Sequence, residues 1–146
     1  MPQENASNEQ NIPIPPQSPI ELEVSLKISK QQFAINEAID LKFILQNPHT
    51  ENISFFTIQS PADSSHTGNC FVIKNQKGKL MPYIGSSKSP SYKKQKITIP
   101  AGSIQIYSLR LDSLYQLNQA GAYIIQFQGN ANNLLPHSTP LTFTIE

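Results

Sequence analysis

Gln119-Ala120-Gly121-Ala122-Tyr123-Ile124-Ile125 sets a glycine two positions before a tyrosine, at the head of an apolar run. That arrangement reads as a tyrosine corner, in which the ring enters a core while the hydroxyl bonds back to the backbone a few residues upstream. Such a corner locks the turn between two packed sheets. It predicts a β-sandwich, with the corner lying between residues 109–117 and a strand that starts near Tyr123. The corner fixes an architecture and carries no chemistry of its own.

Outward from the corner, the chain reads as strands. Ile20, Leu22, Val24, Leu26 and Ile28 alternate with Glu21, Glu23, Ser25 and Lys27, a period of two with one face inward and one face wet. A short strand piece at 33–35 and a second alternating strand, with Ile39, Leu41, Phe43 and Leu45, follow; the latter stops at Asn47-Pro48. Residues 53–59 read as a third strand, 70–74 as a fourth, and Asn75-Gln76-Lys77-Gly78 as the hairpin turn after which 80–84 pair back. Ile97 and Ile99 precede the turn Pro100-Ala101-Gly102, and 103–111 is another strand. Asp112-Ser113-Leu114-Tyr115 reads as one helical turn capped by Asp112. Residues 123–128 and 139–145 complete the set. The expectation is an all-β, immunoglobulin-like antiparallel β-sandwich of about seven to nine strands with no long helix. Its expected core is Leu22, Val24, Leu26, Leu41, Phe43, Leu45, Phe71, Ile106, Leu111, Leu114, Tyr123, Ile125, Phe127, Leu141 and Phe143.

At 146 residues the chain is the size of one domain, and its 38% hydrophobic and 14% charged composition suits a globular β protein. Residues 20–146 are assigned to that domain. Residues 1–19 hold Pro2, Pro13, Pro15, Pro16 and Pro19 among Gln, Asn and Ser, a composition that predicts a disordered tail or tether. A net charge of +1 supplies no broad field for nucleic acid or an anionic membrane. No apolar run of membrane-spanning length occurs, and no charged start leads into a signal-type apolar region. Met1 followed by a polar Pro-Gln-Glu-Asn stretch reads as a start placed on a mature N-terminus. A trimmed export signal, a secreted or periplasmic location and a monomeric state are therefore expected.

The chain carries few residue patterns that imply chemistry. His49, His66 and His137 lie far apart in polar loops, and none sits in the His-Glu-x-x-His spacing that would bring two imidazoles and a general base to one zinc, so no metal is assigned. No Gly-x-Ser-x-Gly elbow is present, and the six glycines are scattered singly, which excludes a phosphate cradle and any nucleotide cofactor. Cys70, the only cysteine, opens an apolar strand and reads as a small buried hydrophobe; it permits no intrachain disulfide. The one basic cluster is Lys88, Lys93, Lys94 and Lys96 around Tyr92, following Tyr83. Its plain reading is a solvated loop; as a site, Tyr83, Lys88, Tyr92, Lys93, Lys94 and Lys96 would contact an acidic protein surface.

Six short pieces in order, Leu45-Gln46-Asn47, Phe71-Val72-Ile73 before Lys77-Gly78, Tyr83-Ile84-Gly85, Pro100-Ala101-Gly102-Ser103, Leu111-Asp112-Ser113-Leu114-Tyr115 and Gly121-Ala122-Tyr123, carry a resemblance across about residues 20–145. Together they resemble the N-terminal β-sandwich, pro-region-like domain of deuterolysin-type zinc metalloendopeptidases, without the catalytic domain. The strand ending in Asn, the Gly hairpin, the Pro-x-Gly turn and the late Gly-x-Tyr also resemble the small bacterial intracellular proteinase inhibitors. The resemblance implies a non-catalytic, protease-associated protein-binding module, an inhibitor or pro-region, with a peptidase as partner. The alternative is a tethered periplasmic or cell-surface interaction domain unconnected with proteolysis.

Overall fold

A computed structural model describes residues 21–63, 68–85 and 95–146. The expected tail, residues 1–19, lies outside the described residues, as do His66, Lys88, Tyr92, Lys93 and Lys94.

Nine strands run through the described residues: β1 (Glu23–Ile28), β2 (Gln32–Phe33), β3 (Asp40–Gln46), β4 (Ile53–Phe56), β5 (Phe71–Asn75), β6 (Lys96–Ile99), β7 (Ile104–Arg110), β8 (Gly121–Phe127) and β9 (Leu141–Ile145). A single 3-10 turn, Leu111–Ser113, is the one helical element among them. The alternation in β1 and β3 becomes register: Val24 pairs with Leu45, Leu26 with Phe43 and Ile28 with Leu41, so one face of the ladder is apolar throughout. β7 adds on the far side of β3, giving a sheet in the order β1-β3-β7. The second sheet runs β2-β9-β8-β5, and β4 with β6 forms a separate two-stranded ladder.

The two large sheets pack face to face as an immunoglobulin-like β-sandwich. Phe43 of β3 meets Phe127 of β8 edge-on at 4.7 Å, and Phe127 in turn meets Phe71 of β5 at 5.8 Å. Each such ring contributes about 1.5–3 kcal/mol by leaving water. The corner forms as expected: the Tyr123 hydroxyl donates to the Gln119 carbonyl at 2.6 Å, and its ring stacks on Phe143. Gly121 takes a φ of +150°, a backbone that other residues rarely adopt.

Five expectations need correction. Ile106 is 53% exposed rather than buried, because Leu111, Leu109 and Tyr107 share one parity along the strand and turn it inward, which leaves Ile104 and Ile106 on the outer face. The segment 80–84 pairs back on β5 only at its start, through the Lys74–Leu80 bridge and the Met81 amide on the Ile73 carbonyl; it does not go on as a strand, because the Tyr115 hydroxyl takes the Phe71 amide and the segment turns to the Tyr83–Tyr115 bridge. The strand expected over 53–59 ends at Phe56, after which Ser60 turns the chain through its hydroxyl on the Thr57 carbonyl. Asp112 does not cap the 3-10 turn, whose first position follows Arg110 with no side-chain cap; its Oδ1 instead accepts the Ile39 amide at 2.9 Å. Finally, the sandwich is not wholly antiparallel, for β2 runs parallel to β9.

Asn47 holds the β3–β7 ladder to the β4–β6 ladder. It is fully buried, and its Nδ2 donates to the Glu51 and Ile99 carbonyls at 2.8 and 2.9 Å while its Oδ1 accepts the His49 amide. Its own backbone bonds across to Ser103 and Gly102, closing the Pro100-Ala101-Gly102 turn against it.

Candidate functional site

Of the six residues singled out for partner contact, the described structure places two. Tyr83 lies in a segment fastened to the sandwich at several points: Met81 donates its amide to Ile73, Ile84 to Leu114, and Gln116 to Pro82. The Tyr83 ring sits edge-on to Tyr115 at 5.5 Å, and its hydroxyl lies where a Cβ on Gly85 would have to go, so any larger residue at 85 would displace the outer end of the ring. Partial burial, with a smaller push from Cys70, raises the Tyr83 hydroxyl above its ordinary pKa and keeps it neutral. Leu80 and Ile84, on either side, are 58% and 53% exposed. Lys96 opens β6, exposed, in register with Phe56, and so stands on a different ladder from Tyr83. Lys88, Tyr92, Lys93 and Lys94 lie outside the described residues.

His49 and His137 come together along one groove with Glu21 and Glu23, a proximity that their separation in sequence conceals. His49 Nε2 is 3.1 Å from the Glu21 carbonyl, and His137 Nδ1 accepts the Gly129 amide at 3.0 Å. Both rings are thereby used to tie loops. Among the described residues no three His, Cys, Asp or Glu side chains gather closely enough to hold a metal ion. Cys70 is buried, and desolvation pushes its thiol up to about 12, so it carries no thiolate near neutrality.

A second surface was missed from the sequence. The outer face of the β1-β3-β7 sheet has rows set by its register: Ser25, Ile44 and Ile106 form one, and Lys27, Lys42 and Ser108 the next. Asp40 and Arg110 follow, with Arg110 also bonded to Asp112 through Nε and Nη2 at 2.9 and 2.7 Å. A shallow groove of about 720 Å³ runs over the lysine and arginine rows. Assigning parity from Leu111 backward along β7 would have exposed Ile104 and Ile106 in the sequence, but the lysine row appears only once three strands are aligned.

No family model matches the chain, and no curated protein matches it. Among solved structures the chain is similar to a CARDB domain from Pyrococcus furiosus solved in complex with di-metal ions, at 12% identity and a TM-score of 0.48, covering 86% of this chain and 88% of that one. It is also similar to part of the alkylpurine DNA glycosylase AlkC of Pseudomonas fluorescens bound to DNA containing an abasic site analogue, at 12% identity and a TM-score of 0.47, over 86% of this chain and 30% of that one. A β-glucosidase from Erythrobacter marinus is similar over 86% of this chain and 16% of its own length, at 10% identity and a TM-score of 0.45.

Proposed function

We propose that this domain is a non-catalytic protein-binding module associated with a peptidase, acting as an inhibitor or a pro-region-like partner outside the cytoplasm. The observation that carries it is the display of Leu80 and Ile84, both more than half exposed, on a segment hydrogen-bonded to β5 and to the turn after β7. Large apolar side chains held out rigidly suit a binding surface, because little side-chain or backbone entropy is lost when a partner covers them. The same segment leads toward Lys88, Lys93 and Lys94, whose positive charge would speed association with an acidic partner. The resemblance of residues 20–145 to the deuterolysin-type N-terminal domain supports a peptidase as that partner.

The test is capture from native cell extract and culture supernatant on the immobilised domain, scored for recovered peptidases and for inhibition of their activity. Leu80→Asp with Ile84→Asp should abolish recovery while leaving the melting midpoint in place. Recovery of an envelope protein that is no peptidase, lost in the same variant, would favour the tethered interaction domain. Equal recovery by wild type and variant would remove this segment from the interface.

A further inference from the structure

We infer that the outer edge of β7 is a docking site for an extended peptide segment that adds a fourth strand to the β1-β3-β7 sheet, with apolar side chains over Ile106 and an acidic side chain over Ser108. This surface lies on the sheet opposite the one that carries the 80–84 segment, and the inference stands apart from the role proposed for that segment.

Unpaired edges invite strand addition and are ordinarily blunted by charge, proline, shortness, a bulge or a covering loop. β1 carries Glu23 and Lys27 on its outer face, and β2 is two residues long. β5 is covered, since Met81 donates to the Ile73 carbonyl at 2.8 Å and Asn75 to that of Lys79 at 2.9 Å. Among the described residues β7 has none of these devices. It is seven residues long, lacks proline, keeps an unbroken register with β3 from Arg110 to Ile104, and bears no charge before Arg110. Among the described residues no strand pairs with its other side.

The face beside that edge states what would pair with it. Ile104 and Ile106, each 53% exposed, stand on β7 itself, with Ile44 behind Ile106 on β3. Apolar side chains on an incoming strand would cover them as cross-strand neighbours. In the next row Lys27 and Lys42 are directly opposite each other, a like-charge pairing that costs stability, and among the described residues neither has an ion-pair partner. Between Lys42 and the open edge stands Ser108, a small residue. A new strand would lie about 4.8 Å beyond β7, so a carboxylate opposite Ser108 falls within the reach of the Lys42 side chain across it. A second copy meets the lysine row with the wrong charge when Ser108 pairs with Ser108, because it then brings its own Lys27 and Lys42 into line, and it offers no carboxylate there when Ile106 pairs with Ile106, because Ser108 then faces Ile104. The complementary occupant is therefore an alternating segment with apolar residues followed by Asp or Glu on one face.

The probe is a fluorescein-labelled, blocked octapeptide with Val at alternate positions and Ile, Ile, Asp, Asp at the others, titrated against the whole chain by fluorescence anisotropy. Saturable binding is expected, weakened by salt and abolished when a central Val is replaced by Pro, which removes a ladder donor. Lys42→Glu should weaken binding about fivefold or more and favour the matching Lys-containing peptide. Ile106→Lys, at an exposed position, should abolish binding with an unchanged melting midpoint. Failure to saturate at millimolar peptide, or binding that is indifferent to the Pro peptide and to both variants, overturns the inference. So does a wild-type dimer that Ile106→Lys dissociates in sedimentation, which would make the edge a self-pairing one.

Discussion

The Tyr115 hydroxyl is clamped onto the backbone of Phe71: it accepts the Phe71 amide at 2.9 Å, and its single proton is shared between Asn69 Oδ1 at 2.7 Å and the Phe71 carbonyl at 3.1 Å. The ring is buried and packs edge-on against Phe71 and Tyr83. A second tyrosine pin therefore joins the turn after β7 to the first residue of β5, while Tyr123 closes the corner into β8.

The two pins should not be equal. Tyr115→Phe strands the Phe71 amide in a buried place and should cost about 1–3 kcal/mol, whereas Tyr123→Phe frees the carbonyl of Gln119, an exposed residue that water can serve, and should cost about 0.5–1.5 kcal/mol. Urea unfolding of the two variants measures the difference. A larger loss at Tyr123 would reverse the ranking and show the corner to be the tighter closure.

Asp112 should link stability to acid pH. The Arg110 guanidinium beside it, and to a lesser degree the Ile39 amide, hold its carboxyl below the ordinary value of 3.8 despite opposing desolvation. A depressed pKa in the folded state gives a contribution that is complete above 3.8 and fades as pH falls through the lower folded value. Arg110 is half exposed, so water screens the ion pair and the bond to Ile39 should dominate. Asp112→Ala should cost about 1–2 kcal/mol at pH 7, with the gap from wild type narrowing below pH 4. Asp112→Asn, which keeps an acceptor for Ile39, should lose less. A gap that stays constant down to pH 2 would mean that the carboxylate charge contributes nothing.

Cys70 should be inert to alkylation in the folded chain at pH 8 and react promptly in urea, because burial pushes its thiol up to about 12. The raised pKa also sets an alkaline limit. Its stability contribution is complete below 9.0, the ordinary value, and is lost as pH climbs toward 12. Iodoacetamide labelling followed by mass, with and without urea, checks the first statement, and unfolding midpoints between pH 8 and 11 check the second. Rapid labelling of the native protein would place the thiol at the surface.

Strand parity was legible wherever one face alone is apolar. In β1 and β3 the wet positions hold Glu23, Ser25, Lys27, Lys42 and Gln46, which leaves one register with a consistent core. β7 defeats the same reading because Ile104 and Ile106 have one parity and Tyr107 and Leu109 the other; the choice falls to Leu111, which is fully buried just beyond the strand. Where 80–84 stops pairing with β5 gave no local signal, because the Tyr115 hydroxyl, distant in sequence, takes the Phe71 amide. The lysine row was beyond local reading, since Lys27, Lys42 and Ser108 become neighbours only through two strand pairings, one of them joining distant parts of the chain. Tyr83 was identified as a site residue for its neighbours in sequence, but its place is set by Tyr115 and Gly85.

Asn47 gave only a weak signal, as the residue before a proline at a strand end, and it should prove among the most sensitive polar positions in the fold. Its side chain satisfies two carbonyls and one amide at the point where the β3–β7 ladder gives way to β4–β6, and it is fully buried. Asn47→Ala leaves those groups to find water inside the packed edge of the sandwich, at a cost of about 2–4 kcal/mol. Asn47→Asp should be no remedy: it keeps the acceptor for His49 but sets a carboxylate against the Glu51 and Ile99 carbonyls, and burying that charge unpaired costs more than the lost bonds. The two variants also differ in pH response. Protonating the new Asp supplies one donor, so Asn47→Asp should gain stability on acidification relative to Asn47→Ala. Guanidinium unfolding of both at pH 7 and pH 4.5 decides it. A loss below about 1 kcal/mol for either would mean that the junction closes without the Asn47 side chain.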